Sequence, residues 1–111
     1  METPQEDYKR GIEYTIAGLE RLKQMIETTY KGSNAREHEE RIVQTRSLLF
    51  QQLGNHLLGN EDVRKEDDAI RKTNAQLFDL QQIEKRKPKP TPEDVDDWID
   101  ALKKMPVMTE S

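Results

Sequence analysis

The chain has 111 residues, of which 32% are hydrophobic and 36% charged, with a net charge of −4 and no cysteine. That length fits one domain with a short appendage, and the missing cysteines exclude disulfides, thiol nucleophiles and cysteine-based metal sites. Met1–Glu6 holds no apolar signal core, and no run reaches about 18 apolar residues, so neither a secretory signal nor a membrane span is expected. A soluble, cytoplasmic (intracellular) protein is the expectation.

Leu, Ile, Val and Phe together make up about a fifth of the chain, near the level below which disorder sets in. A stable fold therefore needs them well aligned, or needs a partner or a second copy to finish the core. The charge is segregated. Residues 85–91 carry Lys85, Arg86, Lys87 and Lys89 and no acid, while the stretches on either side are each net acidic. So small a basic patch argues against nucleic-acid binding, which requires a face able to neutralise several phosphates.

The first element opens at Thr3-Pro4-Gln5-Glu6, where Thr as N-cap, Pro at N1 and Glu at N3 spell a capping box. Tyr8, Ile12, Ile16, Leu19, Leu22, Ile26 and Tyr30 follow three or four apart, the period of an amphipathic helix over about 4–31. Gly18 inside it costs about 1 kcal/mol of helix propensity relative to Ala, and a close approach between helices would account for it. Gly32 marks the stop.

Asn34 caps a second helix over about 35–58, with Ile42, Leu49, Leu53 and Leu57 inward, widened by Val43 and Phe50. Gly59 ends it and Asn60 caps a third, over about 61–86. Val63, Ile70 and Leu77 recur there at heptad spacing, with Leu80 and Ile83 completing the stripe. Thr73 and Asn74 are polar where core residues are expected. This makes a weaker helix, or one with a buried Asn setting register. Short loops join three long helices and no strand pattern occurs, so residues 1–86 predict an all-α, antiparallel three-helix bundle with coiled-coil character.

Three prolines in Pro88-Lys89-Pro90-Thr91-Pro92 end the third helix and make 87–91 an extended hinge. Thr91 and Pro92 then restart a helix over about 92–105, on which Val95, Trp98, Ile99 and Leu102 stand at i, i+3, i+4 and i+7; residues 106–111 form a tail. So short a helix is marginal alone and firm only when its apolar face is covered. Two outcomes follow. The helix plugs its own bundle, or it serves as a helix-in-groove ligand for a protein partner with Trp98 as anchor.

No catalytic chemistry is legible. His38 and His56 lie 18 residues apart, about 27 Å along a helix, and His38 lacks the spacing that places two histidines on one metal. Asp67-Asp68 and Asp94, Asp96 and Asp97 sit at helix starts, where they complement the dipole. No metal, no cofactor and no enzymatic activity are expected. The basic hinge Lys85, Arg86, Lys87, Lys89 reads as a solvated linker, or as an address for a receptor.

Gly18-Leu19-Glu20-Arg21-Leu22, with Gly59, Asn60, Glu61, Asp62, Arg64, Glu66, Ile70, Asn74 and Leu77, loosely resembles bacterial effector-associated (death-like) helical adaptor domains over about residues 14–80. The resemblance implies recruitment of effectors through helix-to-helix contacts. Taken together, these readings predict a non-enzymatic protein-protein interaction module, an adaptor or assembly factor, with protein partners or copies of itself. The alternatives are a small structural or accessory subunit of a phage or secretion complex, and an acidic inhibitor.

Overall fold

The computed structural model describes residues 3–29, 35–58, 67–87 and 89–109, and every regular element in them is a helix. These are α1 (Pro4–Thr29), α2 (Ala35–Leu58), α3 (Asp68–Lys85), α4 (Pro92–Lys103) and the single turn α5 (Pro106–Thr109). The Cα radius of gyration is 15.0 Å and the extents are 51 × 22 × 21 Å. A spherical chain of this length would have a radius near 13 Å, so the body is a rod set by helices laid side by side.

The capping box on α1 forms as expected. Glu6 N–H donates to Thr3 Oγ1 at 3.2 Å and Thr3 N–H to Glu6 Oε2 at 3.3 Å. Tyr8, Ile12, Ile16, Leu19, Leu22 and Ile26 are all buried, and each contributes about 2 kcal/mol of transfer free energy. Tyr30 lies outside the described residues. Gly11 of α1 faces His56 and Gly18 faces Leu49, so α1 and α2 run in opposite directions. A Cβ on Gly18 would run into the Leu49 methyls, which is the close approach that accounts for this glycine.

On α2, Ile42, Phe50 and Leu53 are buried and Leu49 partly so. The side chains of Leu57 and His38 lie outside the described residues, as do Gly32, Asn34 and the whole of 59–66. The adaptor-like run Gly59 to Glu66 falls there.

The third helix departs from expectation in two ways. Asp67 has an extended backbone (φ −113°, ψ 120°) and its side chain accepts from Ile70 N–H at 3.1 Å, so α3 begins at Asp68; the part of the expected helix over 61–66 lies outside the described residues. Ile83 is 52% exposed, while Glu84 is buried in its place. The physical reason is register. Ile70 and Leu77 face inward, and seven residues further on the same line holds position 84, not 83. Thr73 is buried and its hydroxyl accepts from Val107 N–H at 3.1 Å. Asn74 is also buried, and neither side-chain atom finds a partner among the described residues.

The C-terminal stretch is more than a tail. Met105, Pro106 and Val107 are buried, because Pro106 opens α5 instead of merely closing α4. Core residues of α1, α2, α3, α4 and α5 belong to one hydrophobic cluster.

Candidate protein-interaction surfaces

Two places on this body carry more side-chain organisation than a helical scaffold needs. The first is the seat of α4. Thr91 and Asp94 close a capping box, with Asp94 N–H donating to Thr91 Oγ1 and Thr91 N–H to Asp94 Oδ2, both at 3.1 Å. These bonds to Thr91, aided by Lys87, hold the Asp94 carboxyl below its usual range. The helix so started turns Val95, Trp98, Ile99 and Leu102 inward, and all four are buried in their own chain. Trp98 is 2% exposed and meets Phe50 of α2 edge to face, with centroids 5.7 Å apart at 90°. That geometry suits the ring quadrupoles.

Of the two outcomes left open for these four residues, the structure shows the first: each is covered by its own chain, and none stands free. The plug outcome describes the structure, and the reason is the thin core. A short amphipathic helix gains most by covering apolar surface already tethered beside it, since the hinge keeps its effective concentration high.

Polar ties fix the hinge that delivers α4. Arg46 and Glu84 are both buried, 6% and 4% exposed, with Arg46 Nε 2.7 Å from Glu84 Oε1. The Nε–H lacks hydrogen-bond alignment, so the attraction is that of opposite charges in a poorly solvated site. Arg46 Nη1 donates to the Lys87 carbonyl, which ties α2 to the first hinge residues. Burial pushes the Glu84 carboxyl above its ordinary value, against the pull of Arg46 and Lys85. Lys87 Nζ lies 3.7 Å from Asp94, Lys89 Nζ 3.8 Å from Glu39, and Lys23 Nζ 3.0 Å from Asp96. The hydrogen bond to Asp96 raises the Lys23 pKa.

The four basic hinge residues thus divide. Lys87 and Lys89 reach acids of their own chain, while Lys85 and Arg86 are exposed; Arg86 N–H caps α3 on the Ile83 carbonyl and Lys87 N–H on that of Glu84. Asp67 accepts from Gln5 Nε2 at 2.7 Å, which lowers its pKa, and Asp68 lies against Arg71, so this acidic pair caps and complements the α3 dipole. His56 Nε2 sits 3.3 Å from Asp7 Oδ2 at the surface. No group of three His, Cys, Asp or Glu able to hold a metal occurs among the described residues. No helix among them is long and apolar enough to cross a membrane.

The second place was not singled out from the sequence. Tyr14 of α1 is 72% exposed, and with Arg10, Gly11, Leu49, Gln52 and His56 it lines a groove of about 290 Å³ between α1 and α2. Leu48, 55% exposed, stands one turn from Gln52 on the same flank of α2. Each lies off its helix's inward stripe by about a quarter turn or more. The clue was an apolar residue at the wrong phase, which a search for stripes passes over. Phe78 and Ile83, also exposed, lie on different sides of α3 and form no shared strip.

No protein-family model, curated protein or solved structure matches this chain.

Proposed function

We propose that the chain is a non-enzymatic protein-protein interaction module, an adaptor or assembly factor, built on an antiparallel three-helix body that its C-terminal helix completes. The observation that carries this reading is the Tyr14–Leu48 flank of the α1/α2 groove. A chain with so few apolar residues leaves Tyr14 and Leu48 in water on the two helices that form this groove, while the α1 stripe from Tyr8 to Ile26 is buried. Large apolar side chains left exposed along one groove and rimmed by polar ones mark a contact surface. The C-terminal helix supports the function by holding the body rigid.

An acidic inhibitor is the second reading. Glu6, Glu13, Glu20 and Glu27 recur every seven residues on α1, and Glu93, Asp97 and Asp100 stand on the outer side of α4; all are exposed. Such a face suits a basic target, with binding that weakens steeply in salt.

The test is position-specific photocrosslinking in the source cell. A photoreactive residue at position 14 or 48 is expected to give the same discrete adduct, absent from positions 13 and 20, which lie about a quarter turn or more round α1. Adducts only from 13 and 20 favour the inhibitor. No adduct from any of the four positions removes both readings.

A further inference from the structure

We infer that the α1/α2 face receives an acidic amphipathic helix supplied by a partner protein; this deepens the module reading and rests on it. Arg10, Tyr14, Ala17, Arg21 and Met25 follow one another at helical spacing on this side of α1. Arg41, Thr45, Leu48, Gln52 and Asn55 do the same on α2. Tyr14 and Gln52 line one groove, so the two rows form one strip.

Its charge is opposite to that of the chain as a whole. Between Asp7 at one end and Glu37 at the other the two rows hold no acid; the heptad glutamates of α1 run along the strip's flank, with Glu13 at helical spacing from both Arg10 and Ala17. Arg21 and Arg41 are exposed and form no ion pair among the described residues. Asp7 is already engaged by Arg10 at 3.3 Å and by His56.

From Arg10 to Met25 the strip runs about 22 Å, the length of a helix of about 15 residues. An occupant must cover Tyr14 and Leu48 with apolar side chains and present carboxylates to Arg21 and Arg41. An amphipathic helix flanked by acids does both at once, in the helix-in-groove mode. A second copy docking through the same face would bring these arginines against their own counterparts, and like charges at an interface cost binding. Among the described residues, the acidic flank of α1 and α4 on a second copy holds no exposed large apolar residue to cover Tyr14 and Leu48.

Two synthetic helical peptides of about 15 residues, labelled for fluorescence anisotropy, test the assignment on the full chain. Both carry leucines at i, i+3, i+4, i+7 and i+11; one has glutamates flanking that stripe and its twin has lysines. The acidic peptide is expected to bind about tenfold or more tighter than the basic one, and more weakly as salt rises toward roughly 0.5 M. Its binding is expected to drop by a similar factor in Arg21→Glu/Arg41→Glu, and in Leu48→Ser with the arginines intact. These substitutions are on the surface, and circular dichroism confirms that the variants stay helical.

Equal binding of the two peptides, preference for the basic one, binding untouched by the arginine reversals, or no binding at all overturns the inference. Sedimentation showing a dimer that Leu48→Ser dissolves would assign the face to a second copy, and also overturns it. If crosslinks at 14 and 48 persist while the acidic peptide fails, the module reading stands and only the chemistry of its partner is wrong.

Discussion

The α1/α2 contact and the α3–hinge–α4 region are both helical and share one core, yet they are held by different forces. Between α1 and α2 the helices close on small residues: Gly18 admits Leu49, and Gly11 admits His56. The hinge region is fastened by charge and hydrogen bonds around Trp98, with Arg46 between Glu84 and the Lys87 carbonyl and the Thr73 hydroxyl holding Val107. Dispersion and apolar burial respond little to pH or salt, whereas buried charges gain only while each keeps its partner. The first contact can therefore leave an outer face free for other work, and the second is where the fold is most easily undone.

The largest expected effect is at the junction of the two regions. Trp98→Ala is expected to lower stability by about 4 kcal/mol, because a 2% exposed indole leaves a cavity against Phe50. Chemical denaturation measures it, and a loss under about 1 kcal/mol would mean that α4 is not part of the cooperative core.

Arg46→Ala comes next, at about 3 kcal/mol, since it strands a buried carboxylate and frees the Lys87 carbonyl. The double variant Arg46→Met/Glu84→Gln should recover much of that loss. If the single and double variants melt alike, the ion pair is not what fixes the hinge.

In the opposite direction, Asn74→Leu is expected to raise stability by about 1–2 kcal/mol, because a buried amide without partners gives way to an apolar group of similar volume. A fall in stability would show that the amide is satisfied in solution. Gly18→Ala sharpens the contrast from the dry side. The gain in helix propensity is outweighed by crowding of Leu49, for a net loss of about 1 kcal/mol. The loss should shrink when Leu49→Ala is added.

The smallest expected effect is a slope against pH. The folded state holds the Glu84 proton more tightly than the ordinary value of 4.5 implies. Its contribution is thus fully present below that value and is lost as pH rises through the folded pKa. Asp67 and Asp94, shifted below 3.8, contribute above that value and lose their contribution as pH falls. Denaturation series at successive pH values from about 4 upward should show Glu84→Gln losing less stability than the unsubstituted chain as pH rises. Parallel curves would remove Glu84 as the titrating group.

Much of this molecule was readable from residue spacing. Six members of the α1 stripe, from Tyr8 to Ile26, are inside, and both threonine capping boxes form where their sequences place them. These features are local: a 3.6-residue period and a cap three residues long need no knowledge of the rest of the chain. The candidate surface was harder to find, because Tyr14 and Gln52 are 38 positions apart and line one groove only when α1 and α2 are laid together.

The sequence by itself determined that the chain is helical, where α1 and α4 begin, and that Trp98 must be covered by something. Only the tertiary structure decided what covers it. Four apolar residues at i, i+3, i+4 and i+7 describe an anchor for a partner and a plug for a core equally well, and the choice depends on whether the surface beside the hinge is apolar and vacant. Here Phe50 and the α1 stripe supply that surface. The same holds for Glu84 and Ile83. Hydrophobicity alone puts Ile83 inside, but the line through Ile70 and Leu77 points position 84 at Arg46, and a charge already buried on α2 makes a carboxylate the better neighbour.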